Sequence, residues 1–531
     1  MNLNVDYVIV GAGSAGSVLA ARLSEDPEVQ VALLEAGPHD QRLVVQCPAG
    51  LGLLARSPGV AQFLQTVPQP GLLGRRGHQP RGRVLGGSSS TNAMCYIRGH
   101  ADDYAAWAAL GAPEWGWDDV RPWFIACEHN ERLGAPLHGQ DGPLNVADLR
   151  DPNPLSLRFV QAAQQAGWPH NPDFNGAQQD GVGLYQVTQK GGERCSAARA
   201  WLRPAMDRPN LQVFTDARAE QVLLQDKRAV GVRARIGRER VTLQARREVL
   251  VCGGAFESPA LLLRSGIGPG ADLQALGIAV QHDLPGVGEN LHDHPDVVLV
   301  VPTPGQRDAF GLSLGGSVDL LRDAWQWRQR RRGRLSTNFA EAGGFLRTTP
   351  ELAQPDVQLH FVVAQLVEHG RKLVPGHGVS LHICVLRPHS RGRVQIASPD
   401  PEAAPLIDPA FLSDERDLQT LMRGVRLGRQ ILAQPALAAL GQEHPDSARA
   451  QDDEALGQWI RQNADTIYHP VGSCRMGQDA RAVVDSHLRV HGLQGLRVVD
   501  ASAMPRIVSG NTNAPTLMMA ERAARWIAAG A

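Results

Sequence analysis

An apolar run, Val5-Asp6-Tyr7-Val8-Ile9-Val10, leads directly into Gly11-Ala12-Gly13-Ser14-Ala15-Gly16, and Glu35 closes a second apolar run nineteen residues after the last glycine. That order constrains the chain severely. A strand must feed a tight turn, a helix must begin there, and a second strand must end in an acid. Gly11 permits the turn, Gly13 lets backbone N–H groups approach a pyrophosphate, and Gly16 lets the helix pack closely on the sheet. Ser14 and Ala15 open the helix whose N-terminus faces the phosphates. Glu35, with Ala36 beside it, stands where ribose hydroxyls need an acceptor. A carboxylate there disfavours a 2′-phosphate, so the expected ligand is FAD or NAD and not NADP.

The 531 residues exceed one ordinary core, so two structural domains are expected. Apolar content of 43% and charged content of 20% describe a globular chain, and a net charge of −1 gives no reason to expect nucleic acid. The seven cysteines are scattered and lack CxxC spacing, which fits a reducing compartment and no metal centre. No signal-peptide pattern precedes the first strand, and no apolar run is long enough to span a bilayer. A cytoplasmic protein is the expectation, with contact at the inner face of a membrane as a further reading.

Residues 1–36 read as a βαβ start, and 37–100 as an extended segment that wraps a ligand. Residues 101–130 carry Trp107, Trp115, Trp117 and Trp123, read as packing aromatics. Short strands fill 211–252. Ser258, Pro259 and Gly266 then punctuate a helix as N-cap, first residue and stop. Within 296–450, Val357–Val362 and Val379–Leu386 alternate in the manner of half-buried antiparallel strands, with one sheet face covered and the other facing a cavity. The expected division is 1–150, 196–295 and 455–531 for the dinucleotide-binding domain. Residues 151–195 form an excursion of the substrate domain and 296–454 its body. The run Arg328, Arg330, Arg331, Arg332, Arg334 after Trp325 and Trp327 reads as a solvated helix end; an interfacial patch on anionic lipid is the alternative.

Three further segments bear on chemistry. They are Gly82-Arg83-Val84-Leu85-Gly86-Gly87-Ser88-Ser89-Ser90-Thr91-Asn92-Ala93-Met94, Gly254 to Gly268, and the C-terminal pair Tyr468–Gly477 and Val499–Thr516. At these residues the chain resembles the glucose–methanol–choline (GMC) family of flavin oxidoreductases over essentially its whole length. Within the family the likeness is to membrane-associated alkanol dehydrogenases. The resemblance implies an α/β (α+β) fold: a Rossmann-like FAD-binding domain, and a substrate domain built on an antiparallel sheet flanked by helices. It also implies FAD held noncovalently, because Thr91 stands where some relatives anchor the flavin through histidine. Arg83, Leu85, Gly86, Gly87, Ser88, Asn92, Ala93, Met94, Gly253, Asn511, Thr512 and Pro515 are the implied cofactor contacts. Asp500 and Ala501 are implied at the ribityl or pyrophosphate part, and Val222 at the adenine.

Oxidising an alcohol needs a hydride acceptor and a base that titrates near neutrality, which favours histidine. The resemblance matches that base to His469 and the second position to Asn513, whose carboxamide would steady a developing alkoxide. The implied reaction is oxidation of primary alcohols to aldehydes, with a quinone or another acceptor reoxidising the cofactor. An oxygen-using alcohol oxidase, a choline dehydrogenase and a flavin-binding redox-sensing module are the alternatives. His292 and His294 bracket Asp293 and read as structural, without the third ligand a metal needs.

Overall fold

The computed structural model describes residues 2–54, 57–367, 372 and 374–530. Two seven-stranded sheets organise them. In the first, Asn2–Val10 runs parallel to Val31–Leu34 on one side and to Glu239–Val251 on the other. Leu211–Phe214 extends the sheet beyond Val31–Leu34. Glu239–Val251 is shared along its length. Its first half pairs antiparallel with Arg228–Ile236, and its end pairs parallel with Leu496–Val498. The last strand of the chain is therefore built into the sheet that the first strand began. Val8, Ile9, Val31, Ala32, Val249 and Leu250 are fully buried, as strands covered on both faces require.

The glycine loop does what its residues dictate. Gly11 has φ +98°, and a Cβ there would lie 2.5 Å from the Cys252 carbonyl oxygen. A Cβ on Gly16 would lie 1.9 Å from the Gly11 carbonyl oxygen. The helix Ser14–Leu23 packs on the closing helix Asn513–Ala528, so the two ends of the sequence meet at this loop.

The second sheet is antiparallel, in the order Asp465–Thr466, Pro295–Pro302, Gly376–Val385, Val357–Val362, Ala340–Leu346 and Gly181–Leu184. The helices Pro154–Gln165, Glu415–Leu432 and Asp453–Asn463 bury one face of it. Alternation then assigns the faces. Leu359, Phe361, Leu381 and Ile383 enter the helix-covered core, while His360, Val362 and His382 line a cavity. This is the one-face-covered sheet expected from the sequence. Leu456, Trp459 and Ile460 belong to its core and Asp465–Thr466 to its edge. The chain thus returns to the first sheet only after Thr466, later than residue 455.

Two local expectations change. The helix expected from Ser258 starts at Gly254 and runs to Arg264. Pro259 therefore lies inside it and removes the N–H that would reach the Ala255 carbonyl. The Ser473 hydroxyl donates to that carbonyl instead, at 2.5 Å. Gly266, with φ +77°, ends the helix as expected. Of the tryptophans, Trp107 and Trp115 are fully buried. The arginine run closes the helix Leu314–Arg330, whose Trp327 is buried while Trp325 is exposed.

Candidate active site

A cavity of 1280 Å³ lies between the two sheets. Its nucleotide end is lined by Gly11, Gly13, Ser14, Ala15, Glu35 and Ala36. Its middle is lined by Arg83, Gly87, Ser88, Asn92, Ala93, Met94, Gly253, Asp500 and Ala501, and its far end by His469, Asn511, Thr512 and Asn513. Gly16, Leu85, Gly86, Val222 and Pro515 do not line it. Gly16 is turned into the loop, and Gly86 braces that loop through its N–H to the Ala12 carbonyl at 2.7 Å. Leu85 and Pro515 are buried in the surrounding packing. The N–H of Val222 already donates to the Ser265 hydroxyl at 2.8 Å. The strand shifts register between Ala219 and Gln221, and Ala217, Arg218 and Ala219 take that wall of the cavity instead. Val222, expected at the adenine, is thus set back from the cavity that Ala217–Ala219 line.

Two observations test the fit of FAD. A Cβ on Gly87 would lie 2.7 Å from the Gly13 Cα, whereas one on Gly13 would meet nothing nearer than 4.0 Å. The two loops touch through hydrogen alone, and the open side of Gly13 is left for a ligand. On the wall by Ala217–Ala219, the buried Arg264 has Nε and Nη1 without partners, as a site for a polar or anionic group would leave them. Glu35 accepts the Ala12 N–H at 3.0 Å and the Gly37 N–H at 2.9 Å. Burial pushes its carboxyl up to about 7, against those two N–H groups and Arg83. The Asp500 carboxylate is engaged by Gly254 N–H at 2.8 Å, the Ser258 hydroxyl at 2.6 Å and Ser502 N–H at 2.8 Å. It ties together the turns at Gly254 and Ser502 while lining the cavity.

At the far end a residue expected at the cofactor, Asn511, donates its Nδ2–H to His469 Nε2, at 3.1 Å. Asn513 Oδ1 accepts the Ser14 hydroxyl at 2.7 Å and so ties the closing helix to the glycine loop. The second surprise is His294, read from sequence as structural. Its Nδ1 lies 3.1 Å from His469 Nδ1, and its Nε2 lies 3.1 Å from the Leu386 carbonyl oxygen.

These contacts fix the tautomers. A carbonyl only accepts, so His294 Nε2 carries hydrogen. Burial holds the His294 imidazole neutral, pushing it down to about 3, so its Nδ1 is a lone pair. His469 Nδ1 must then be the N–H, and His469 Nε2 is left unprotonated and facing Asn511. Gln358 Nε2 donates to Asn511 Oδ1 at 3.2 Å, which orients the carboxamide. One directed chain runs from Gln358 through Asn511, His469 and His294 to the backbone at Leu386. Burial, reinforced by His294, His360 and Arg81, holds His469 well below the usual histidine range. Among the described residues no carboxylate is bonded to its ring. Asp293 accepts the backbone N–H groups of His469 and His294, each at 2.8 Å, and so fixes the main chain of both.

On the substrate side Phe310, Phe339, Val362, Ala364 and Leu366 give the cavity an apolar wall, which Asn338, His360, Gln365, Lys372 and His382 share. The sequence reading missed His360, His382 and His294, whose only signal was their place in alternating strands or beside one. No group of His, Cys, Asp and Glu among the described residues could hold a metal ion, and all seven cysteines are free and buried.

Comparison with known proteins agrees with this geometry. The GMC oxidoreductase family models match residues 5–296 and 388–520. An acceptor-dependent alcohol dehydrogenase of Pseudomonas putida is 48% identical, over 98% of this chain and 95% of that protein. An oxygen-dependent choline dehydrogenase of Pseudomonas fluorescens (strain Pf0-1) is 44% identical, over 99% and 94%. Among solved structures, pyridoxine 4-oxidase from Mesorbium loti superposes with a TM-score of 0.88 at 33% identity, covering 98% of this chain and 99% of that one.

Proposed function

Because the chain belongs to the GMC oxidoreductase family and is an FAD-dependent oxidoreductase, we propose that it oxidises primary alcohols of low polarity to aldehydes. The observation that carries this reading is the directed chain that leaves His469 Nε2 unprotonated at the cavity wall. An alcohol that enters between His469 and Asn511 gives its proton to Nε2 and accepts the Asn511 N–H on its oxygen. The new imidazolium keeps its Nδ1–H on His294. FAD, when bound, supplies the hydride acceptor. The residues that would hold it are those of the glycine loop, Glu35, Arg83, the 87–94 segment, Ala217–Ala219 and the turn at Ala501. Base help of this kind is worth about 10²–10⁴ in rate.

The substrate is a small molecule, and an electron acceptor completes the cycle. A quinone is the acceptor this reading favours, with the enzyme in peripheral contact with the inner face of a membrane. No helix among the described residues is long and apolar enough to cross one. The carboxylates of the cavity wall among the described residues, Glu35, Glu257 and Asp500, all lie toward the nucleotide, so none of these three meets a quaternary ammonium beside His469. A medium-chain alkanol under anaerobic conditions should bleach the yellow holoenzyme, whereas choline should not. His469→Ala should keep the cofactor and lose about 10²–10⁴ of kcat/KM. Bleaching by choline alone, or an unimpaired His469→Ala, would overturn the reading. Rapid reoxidation by air with peroxide release would replace the quinone by oxygen.

A further inference from the structure

Of the ten large apolar side chains exposed among the described residues, six lie on two segments at the cavity rim. Leu43 and Leu53, on the short helices Leu43–Gln46 and Leu51–Leu54, are 57% and 66% exposed, and both line the cavity. Leu320, 51% exposed, lines it too, from the helix Leu314–Arg330. Side chains that both line a cavity and face solvent mark its mouth. On the outer side of the same helix, Val318, Leu321 and Trp325 repeat at three- and four-residue spacing and are 66%, 74% and 63% exposed. The two segments meet through Cys47, Trp327 and Leu335, which form one small core. Trp327 is turned inward and donates its indole N–H to the Gly192 carbonyl at 2.9 Å.

Among the described residues the exposed charges of this helix are all arginines. The acids of the helix are paired, Asp319 with Arg307 at 2.6 Å and Asp323 with Arg334 at 3.5 Å. Arg322, Arg328 and Arg330 stand exposed around the apolar side chains. A second copy docked about a two-fold axis would set these arginines against one another. Lipid phosphates would complement them, and the exposed leucines and tryptophan match the headgroup–acyl boundary.

We propose that the cavity mouth is a docking surface for an anionic bilayer. Val318, Leu321, Trp325, Leu43 and Leu53 enter the lipid boundary, and the arginines bind headgroup phosphates. The cavity then opens toward the acyl region, so an alcohol of low polarity reaches His469 without crossing bulk water. Only that last step rests on the alcohol-oxidising reading.

The test is co-sedimentation of the FAD-loaded enzyme with vesicles of mixed phosphatidylcholine and phosphatidylglycerol, and with vesicles of phosphatidylcholine alone. The wild type should sediment with the anionic vesicles and lose most of that binding in high salt. Leu321→Asp with Trp325→Asp should weaken binding about tenfold or more. Turnover of a short, water-soluble alcohol without vesicles should be unchanged. Arg322→Gln with Arg330→Gln should cost about fivefold per arginine, on anionic vesicles only. Wild-type enzyme that ignores both vesicles, or an aspartate variant that sediments as well as wild type, would overturn the proposal. So would a wild-type dimer in size exclusion that the aspartate variant dissolves. Vesicle binding without turnover of any alcohol would refute the functional reading and leave the docking surface standing.

Discussion

The imidazole of His469 is useful as a base only in one of its two neutral tautomers, and His294 selects that tautomer. With His294→Leu, the Nδ1–H of His469 has no acceptor, and the proton is free to move to Nε2, where it blocks the base. kcat should fall at least about tenfold, as expected when a catalytic histidine rests in the wrong tautomer. The ¹⁵N ring resonances of His469 should show a protonated Nδ1 in the wild type and a mixture in the variant. His294→Asn, which restores an acceptor, should recover most of the rate. An unchanged ring spectrum in His294→Leu would sink the assignment. Glu35 gives a pH prediction. Burial holds its acid up to about 7, whereas ribose hydroxyls prefer the carboxylate. Binding of FAD to the apoprotein therefore releases a proton below that pH. Affinity should be flat above pH 7 and weaken below it by up to about tenfold per pH unit, measured by cofactor fluorescence. Much of this site was legible beforehand. His469, the glycine loop and Glu35 announce themselves by sequence context. Asn511 and Asn513 do not separate, because two identical side chains in one turn differ only in direction, which no periodicity encodes. His294 was unreadable as a partner because only tertiary folding brings it to residue 469.

At the level of the element, the helix Gly254–Arg264 carries a proline that costs it a backbone hydrogen bond, and a distant serine repairs the loss. Ser473→Ala leaves the Ala255 carbonyl buried and unpaired. It should lower stability by about 1–3 kcal/mol, read from the denaturant midpoint at unchanged slope. No loss would mean that water replaces the hydroxyl. The sequence signs for this helix were sound about its end and misleading about its start. Gly266 can be read alone, since positive φ favours glycine. Pro259 suits a first turn by its own chemistry, and only the hydroxyl of a residue far along the chain makes it tolerable deeper inside. The strands fared better. Alternation in Val357–Val362 and Gly376–Val385 was visible as pattern, and the structure turns the polar half of it, His360 and His382, to the cavity. The outer helix shows the limit again. Trp325 and Trp327 read as one aromatic pair but point to opposite sides.

Across the whole molecule, the two sheets divide the labour, one for the dinucleotide and one for the substrate wall, and the polypeptide passes between them several times. From the expected excursion at 151–195, Gly181–Leu184 joins the second sheet. The later boundary was not, because the helix Asp453–Asn463 has an amphipathic pattern that either core could bury. One short pairing has the widest reach. Pro295 and Asp296 lie opposite Thr466 and Asp465, and the Ile467 N–H donates to the His294 carbonyl at 3.2 Å. His294 and His469 project from the two sides of this single rivet. A motion of one sheet against the other would leave this couple's spacing unchanged, because one strand pairing carries both imidazoles.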